Sequence, residues 1–279
     1  MSKRQYSKNK INKPRNVKSI LFALGLLVLA AAAIGLMAAY GKLRHIWIQQ
    51  CEVHDPSSQV EVTTTGKMVP PDAIREAFGI RKGANLWEID FDELRQEVLA
   101  KHPTIRSIAI AKHLPDKVAI TITEREPIVR VGLREAKQWG GKVADTEGVV
   151  FMCRRGVDML PMVRETSAPG TAVGKRLAGN ALAALKLLEA AQDVEFQELG
   201  IQQVDVSKPD FLLVTLGNYQ RAKVAWEGMD RPSPRTQDKM LKVMRNLRDA
   251  INARLTGNGT VWNATEPDRV YADTKEIIQ

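Results

Sequence analysis

The chain has 279 residues, with 41 Lys and Arg against 32 Asp and Glu, and a formal net charge of +9. Seven of the basic residues lie within residues 1–19, which contain no acidic residue, so the rest of the chain is close to neutral, with 34 basic and 32 acidic side chains. Because the excess charge is confined to one terminus, it does not form the basic face of a nucleic-acid-binding domain, and nucleic acid is excluded as an expected partner.

A long apolar stretch follows this basic tail. Residues Ile20–Tyr40 are twenty-one residues without a charged, amide or histidine side chain. At about 1.5 Å per residue, a helix of this length reaches about 31 Å, the thickness of the hydrocarbon core of a bilayer. A backbone in lipid must satisfy its own hydrogen bonds, so the stretch predicts a single transmembrane helix with its limits at Ile20 and Tyr40.

The charges on either side of this span indicate its orientation. Seven cations precede it, whereas only Lys42 and Arg44 follow it closely. Basic residues stay on the cytoplasmic side, so residues 1–19 are predicted to be a cytoplasmic tail, near lipid headgroups or solvated, and residues 41–279 to lie outside the cytoplasm. A cleaved signal peptide is the alternative, since Ala38 and Ala39 would permit cleavage. Its apolar core normally has about 7–15 residues, and the greater length here favours a retained anchor.

Residues 41–59 show no clear period and are predicted to be a short stalk. A small domain is then predicted over residues 60–127, in the order strand, helix, helix, strand, strand. Asp90 is a good N-cap for the second helix, and a residue before proline, here His102, predicts its end. No helix separates the last two strands, so they are expected to pair antiparallel. The elements are placed at Val60–Thr64, after Pro70-Pro71-Asp72, after Asp90, at Ile105–Ala111 and at Lys117–Thr123.

The remaining residues, 128–279, predict a larger α+β domain. Its two helices are predicted at Leu177–Asp193 and Pro234–Leu255, where apolar residues recur at helical spacing. About six to eight short strands are expected to form a mostly antiparallel sheet. The strand candidates are Ile128–Leu133, Val149–Met152, Ile201–Val206, Phe211–Leu216, Arg221–Trp226, Val261–Asn263 and Arg269–Asp273.

Side chains that could carry chemistry do not converge in this sequence. None of the four histidines, His45, His54, His102 and His113, lies at metal-ligand spacing. Glu124 and Glu126 could form an acid–base pair, but an exposed rim with Arg125 opposite is the preferred interpretation. No catalytic, cofactor or metal site and no small-molecule substrate is therefore predicted, and the pattern favours a membrane-tethered protein that binds other proteins.

The two cysteines, Cys51 and Cys153, leave two possibilities open. An oxidising compartment would permit a disulfide between them. Two separate thiols are the preferred interpretation, because a domain of this size needs no covalent staple.

Several motifs resemble those of the bacterial cell-division family FtsQ/DivIB, and the small domain resembles a POTRA domain. In the small domain these are Val62-Thr63-Thr64-Thr65-Gly66, Gly83-Ala84-Asn85-Leu86-Trp87 with Ile89-Asp90, His102-Pro103-Thr104-Ile105, His113-Leu114-Pro115-Asp116-Lys117-Val118-Ala119-Ile120 and Glu124-Arg125-Glu126-Pro127. In the larger domain they are Asp145-Thr146-Glu147-Gly148-Val149-Val150-Phe151, Leu160-Pro161, Leu216-Gly217 and Lys239–Leu247.

The resemblance implies a non-enzymatic scaffold of the division complex, anchored by one span in the inner membrane and located at the division septum. It implies that the chain binds small bitopic division proteins of the FtsB and FtsL type. In the family a partner adds a strand to the sheet edge near the C-terminus. Arg269, Val270, Tyr271 and Ala272 occupy that position here, with Tyr271 as the best anchor, although an ordinary terminal strand would show the same pattern.

Two other classes of function are weighed against this scaffold. A POTRA-containing secretion or outer-membrane assembly factor would have a cleaved signal and usually a C-terminal β-barrel, and no series of about ten-residue alternating strands is present. An envelope enzyme with an unfamiliar site is disfavoured because no convergent catalytic set is found.

Overall fold

The computed structural model describes residues 17–113, 115–133, 141–165, 172–217, 219–231, 233–253 and 261–273. Most of the predicted cytoplasmic tail, residues 1–16, therefore lies outside the described residues. The described chain forms one long helix and two α+β units, which we call the small domain and the large domain.

Helix α1 spans Val17–Gln50, and its segment Leu24–Gln50 is long and apolar enough to cross a membrane. The apolar side chains between Leu24 and Tyr40 that the structure describes are exposed, as lipid-facing side chains would be. The helix continues ten residues beyond the predicted limit at Tyr40, so residues 41–50 are helical and not part of an irregular stalk. No proline interrupts this extension, and a single glycine such as Gly41 costs a helix only about 1 kcal/mol.

The small domain has the predicted strand–helix–helix–strand–strand order, preceded by a single turn of helix. Strand β3 lies in the centre of its sheet, parallel to β1 and antiparallel to β2. The elements are α2 (Pro56–Gln59), β1 (Val60–Thr64), α3 (Pro71–Ala77), α4 (Phe91–Lys101), β2 (Ile105–His113) and β3 (Lys117–Glu124). Asp90 caps α4 as predicted, because its carboxylate accepts bonds from the amides of Asp92 and Glu93 at 3.0 and 3.1 Å.

The large domain is built on a mixed sheet with nine strands among the described residues. Their order is β12-β11-β10-β9-β8-β7-β4-β5-β6, with five antiparallel and three parallel pairings, so the sheet is mostly antiparallel as predicted. The strands are β4 (Val129–Leu133), β5 (Lys142–Ala144), β6 (Val150–Met152), β7 (Met162–Glu165), β8 (Gln203–Asp205), β9 (Leu212–Thr215), β10 (Arg221–Val224), β11 (Val261–Glu266) and β12 (Arg269–Asp273).

Two helices provide crossovers between parallel strands of this sheet. Helix α5 (Gly179–Ala190) and a 3₁₀ helix (Val194–Leu199) lie between β7 and β8, and α6 (Pro234–Ala253) lies between β10 and β11. Both helices pack their apolar sides on one face of the sheet, where the buried core lies. Strands β5 and β7 were not among the predicted strands.

Candidate functional site

The four residues predicted to bind a partner lie together in β12, the last strand of the nine-stranded sheet. Strand β12 pairs antiparallel with β11, with Ala272 opposite Trp262 and Tyr271 opposite Asn263. Within the part of the chain that the structure describes, no strand pairs with its other side. An edge strand of this kind presents N–H and C=O groups to which another strand can add.

The side chains of β12 divide between the two faces of the sheet. Val270 and Ala272 point to the helix-covered face and pack against the core. Tyr271 is on the opposite, open face and is 42% exposed. The guanidinium of Arg269 lies 5.4 Å from the centroid of the Tyr271 ring, a distance that suits a cation–π contact. A partner at this edge would therefore meet Tyr271 and Arg269, whereas Val270 and Ala272 serve the fold.

The hairpin that ends in β12 is held by one buried hydrogen bond and by contacts from helix α6. The Trp262 side chain in β11 is almost completely buried, and its indole N–H donates to Oε1 of Gln220 at 2.8 Å. Helix α6 holds the turn of the hairpin, because the amide of Asn246 donates to the carbonyl of Pro267 at 2.7 Å and Lys242 pairs with Asp268. The edge is thus a fixed surface of the domain.

The open face continues from Tyr271 across the neighbouring strands. Asn263 is the register partner of both Tyr271 and Lys223, so the three residues form a row over β12, β11 and β10. The ammonium of Lys223 lies 3.4 Å from the Asp273 carboxylate and 5.6 Å from the centroid of the Phe211 ring. Tyr271, at the exposed end of this row, belongs to the aromatic residues that are enriched in protein-binding surfaces.

A second cluster of functional groups joins the two domains. Arg125, just after β3, donates to Asp145 at 2.5 Å and to Glu147 at 3.0 Å. Arg106 in β2 donates to the other oxygen of Glu147 at 2.8 and 3.0 Å. The motifs Glu124–Pro127 and Asp145–Phe151, which carry part of the family resemblance, therefore bind each other across the domain boundary.

The charges in this cluster shift each other's proton affinities. The hydrogen bond from Arg125, and then the one from Arg106, lower the pKa of Glu147. Burial would lower the pKa of Arg125, but its bonds to Asp145 and Glu147 outweigh burial and raise that pKa. Both shifts favour the charged forms of Glu147 and Arg125, as a structural ion pair requires.

Glu124 has a structural role that the sequence analysis did not find. The preferred interpretation as an exposed rim is correct for Glu126 but wrong for Glu124, which is buried. Its carboxylate accepts bonds from the amides of Met68 and Val69 at 2.9 and 3.1 Å, and so closes the loop after β1. A Cβ atom at Gly66 would lie 2.3 Å from this carboxylate, which explains why a glycine occupies that position.

Neither the cysteines nor the acidic groups form a reactive centre in the described parts of the chain. Cys51 and Cys153 are both free thiols, and burial raises the pKa of Cys51, which makes it unreactive. No group of three or more His, Cys, Asp or Glu side chains is placed to hold a metal ion among the residues that were described.

Comparisons with known proteins agree with this architecture. The family model of the FtsQ-type POTRA domain matches residues 56–125. The chain is 25% identical over 255 residues to the cell division protein FtsQ of Corynebacterium glutamicum, covering 91% of this chain and 98% of that protein. It is 26% identical over 206 residues to FtsQ of Koribacter versatilis, covering 72% and 55%, and 26% identical over 166 residues to FtsQ of Streptomyces collinus, covering 58% and 57%. The predicted family resemblance is therefore confirmed: the small domain is a POTRA domain of the FtsQ type, within a chain that is similar over most of its length to the bacterial cell division protein FtsQ.

Proposed function

We propose that this protein is a non-enzymatic scaffold of the bacterial division complex that binds other division proteins during septum formation. Similarity to cell division proteins over 91% of the chain supports the role in division. Helix α1, with its exposed apolar side chains, supports a single-pass anchor in the inner membrane. The excess of basic residues before the span supports a cytoplasmic N-terminus, with both domains on the other side of the membrane.

The partner surface that we propose is the β12 edge together with Tyr271. The observation that carries this proposal is the position of β12 at the end of the nine-stranded sheet, with an exposed tyrosine beside the open edge. A strand from an FtsB- or FtsL-like protein would gain backbone hydrogen bonds at this edge. Tyr271 would give it an anchor of large area and small entropy cost, already oriented by Arg269.

The side chains of β12 alternate between the two faces of the sheet, so only those on the open face can select a partner. Added backbone bonds select an extended segment but do not distinguish sequences, so recognition depends on side chains of the open face. These are Tyr271 and Arg269 and, next in the row, Asn263, whereas Lys223 is only 15% exposed and is paired with Asp273. An aromatic or acidic side chain on the incoming strand would complement this row best.

A photoreactive residue at position 271, introduced into the full chain in dividing cells, tests this surface. We expect crosslinks to bitopic division proteins from position 271. Met159 provides a matched control, because it is 98% exposed and follows β6, which is at the opposite end of the strand order. Crosslinks to the same partners from position 159 but not from 271 would contradict the assignment of the edge. Normal septum formation after depletion of the protein would contradict the role in division itself.

A further inference from the structure

The C-terminal end of α1 is joined to the small domain by hydrogen bonds and not by a free linker. The side-chain amide of Asn85 donates to the carbonyl of Ile48, in the last turn of the helix, at 2.9 Å. The chain then runs beside residues 83–86, with bonds of 2.8–2.9 Å that link Cys51 to Leu86 and Val53 to Gly83 and Ala84. The loop Arg81–Ile89 is therefore held against the end of the helix that carries the predicted membrane span.

The surface around this joint carries two exposed tryptophans. Trp47, on the last turns of α1, is 45% exposed, and Trp87, in the loop, is 53% exposed. Asn85 connects them, because it bonds to the carbonyl of the residue after Trp47 and its side-chain oxygen accepts the amide of Trp87 at 2.9 Å. Leu43 and Ile46 on the helix are also exposed. Tryptophans of a soluble domain are on average largely buried, so two exposed ones beside a membrane span require an explanation.

The position of Trp47 on the helix matches the lipid headgroup layer. Trp47 lies in the last turn of Leu24–Gln50, the segment that is long and apolar enough to cross a membrane. At about 1.5 Å per residue this segment is about 40 Å long, which matches the hydrocarbon core together with its two headgroup layers, about 40–45 Å. Tryptophan is enriched at this level in membrane proteins, because its ring packs among lipid chains while its N–H stays in the polar layer.

The charges nearby indicate that the aromatic rings, and not electrostatics, dominate this contact. Lys42 and Arg44 on α1 are placed to meet lipid phosphates. In the loop, however, exposed Arg81 and Lys82 are balanced by Glu52 and Glu88, which are exposed as well. The loop therefore adds no net charge, and the part of the attraction that depends on net charge comes from Lys42 and Arg44 alone.

We infer that Trp47 and Trp87, with the exposed end of α1, form a membrane-docking collar that seats the small domain on the phospholipid headgroups of the leaflet opposite the cytoplasm. This inference rests on the proposed membrane anchor. Its consequence is that α1 and the small domain form one rigid body, so the edge of the small sheet and the start of the large domain are held at a set height above the bilayer.

Lipid quenching of tryptophan fluorescence tests the collar in the full chain. The protein is reconstituted in nanodiscs of phosphatidylethanolamine and phosphatidylglycerol, with and without a lipid that carries a quencher near the headgroup. All variants carry Trp139→Phe, because Trp139 lies outside the described residues, which leaves Trp47, Trp87, Trp226 and Trp262. We expect the quencher to remove about half of the emission, since two of the four rings are at the interface.

Two conservative variants then give opposite results. Trp87→Phe should lower the quenched fraction to about one third, and the control Trp226→Phe, in the large domain, should raise it to about two thirds. Both values should change little between low and high salt, because net charge is not the main attraction. If Trp87→Phe raises the quenched fraction as Trp226→Phe does, the loop does not contact lipid and the collar is overturned while the anchor stands. If the chain does not enter nanodiscs at all, the membrane anchor itself is overturned.

Discussion

The guanidinium of Arg125, which follows the last strand of the small domain, lies 2.5 Å from the carboxylate of Asp145 in the large domain. Both side chains are largely removed from solvent, with 12% and 5% of their surfaces exposed. Asp145 also accepts bonds from the backbone amides of Glu147 and Val149 at 3.1 and 2.9 Å, so the carboxylate is held by its own domain as well as by Arg125. Arg125 also donates to the carbonyl of Pro103 in the small domain. The Arg125–Asp145 pair therefore holds the two domains in one orientation relative to each other.

Replacement of Arg125 by alanine should destabilise the junction between the domains. The change leaves the Asp145 carboxylate buried without its cation, and breaking a buried pair in this way costs about 3–5 kcal/mol. We expect a lower midpoint of urea unfolding and faster proteolysis between residues 125 and 141. Arg106→Ala is the matched control, because Arg106 is half exposed and such pairs contribute about 0–1 kcal/mol. Equal losses of stability in the two variants would contradict the special role of the buried pair.

The stability of the junction should depend on pH through Glu147. Arg125 and then Arg106 lower its pKa in the folded protein, so their stabilisation is fully present above the unfolded value of about 4.3. It is lost as the pH falls through the lowered folded value. We therefore expect urea midpoints measured from pH 6 down to pH 3 to fall less steeply in Glu147→Gln than in the original protein. A steeper fall in Glu147→Gln would show that the sign of the shift is wrong.

Gly66→Ala should damage the loop that Glu124 closes. The added Cβ would lie 2.3 and 2.5 Å from two atoms of the Glu124 carboxylate, which would have to leave the amides of Met68 and Val69. Leaving such groups unpaired costs about 1–3 kcal/mol, and thermal unfolding followed by circular dichroism would detect the loss. The double variant Gly66→Ala, Glu124→Ala is expected to lose less than the sum of the two single losses, because the clash disappears with the carboxylate. Additive losses would indicate that the two positions act independently.

Substitutions in β12 should separate partner binding from folding. Tyr271→Ala is expected to weaken binding of a bitopic division partner about tenfold or more, with little change in unfolding temperature, because the ring is on the open face. Ala272→Asp, on the opposite face, should lower the unfolding temperature by placing a charge against the core. Binding measured by biolayer interferometry, together with thermal melts of both variants, checks the pair. A Tyr271→Ala variant that binds normally would exclude this ring as the anchor.

Local patterns along the chain were sufficient to predict much of the architecture. The absence of charged, amide and histidine side chains over residues 20–40 predicts a transmembrane helix, and the structure has a helix there. Asp90 caps its helix through bonds to residues only two and three positions away. The alternation in Lys117–Thr123 predicts a strand, and its alternate residues Val118, Ile120 and Ile122 are buried. The order of elements in the small domain agrees with the prediction, and Arg269–Asp273 is the last strand in the order of the large sheet among the described residues.

Contacts between residues that are far apart in the sequence determined the features that local patterns did not predict. Helix α1 ends where Asn85, 37 residues away, meets the carbonyl of Ile48, and this partner cannot be identified from spacing. Glu124 is buried because the loop at residues 66–69 returns to it, although its neighbours suggest an exposed rim. Local propensity acts over a few neighbouring residues and can therefore be recognised in the sequence. The burial of a charge, the end of a helix and the angle between two domains depend on which distant residues the folded chain brings within hydrogen-bonding distance.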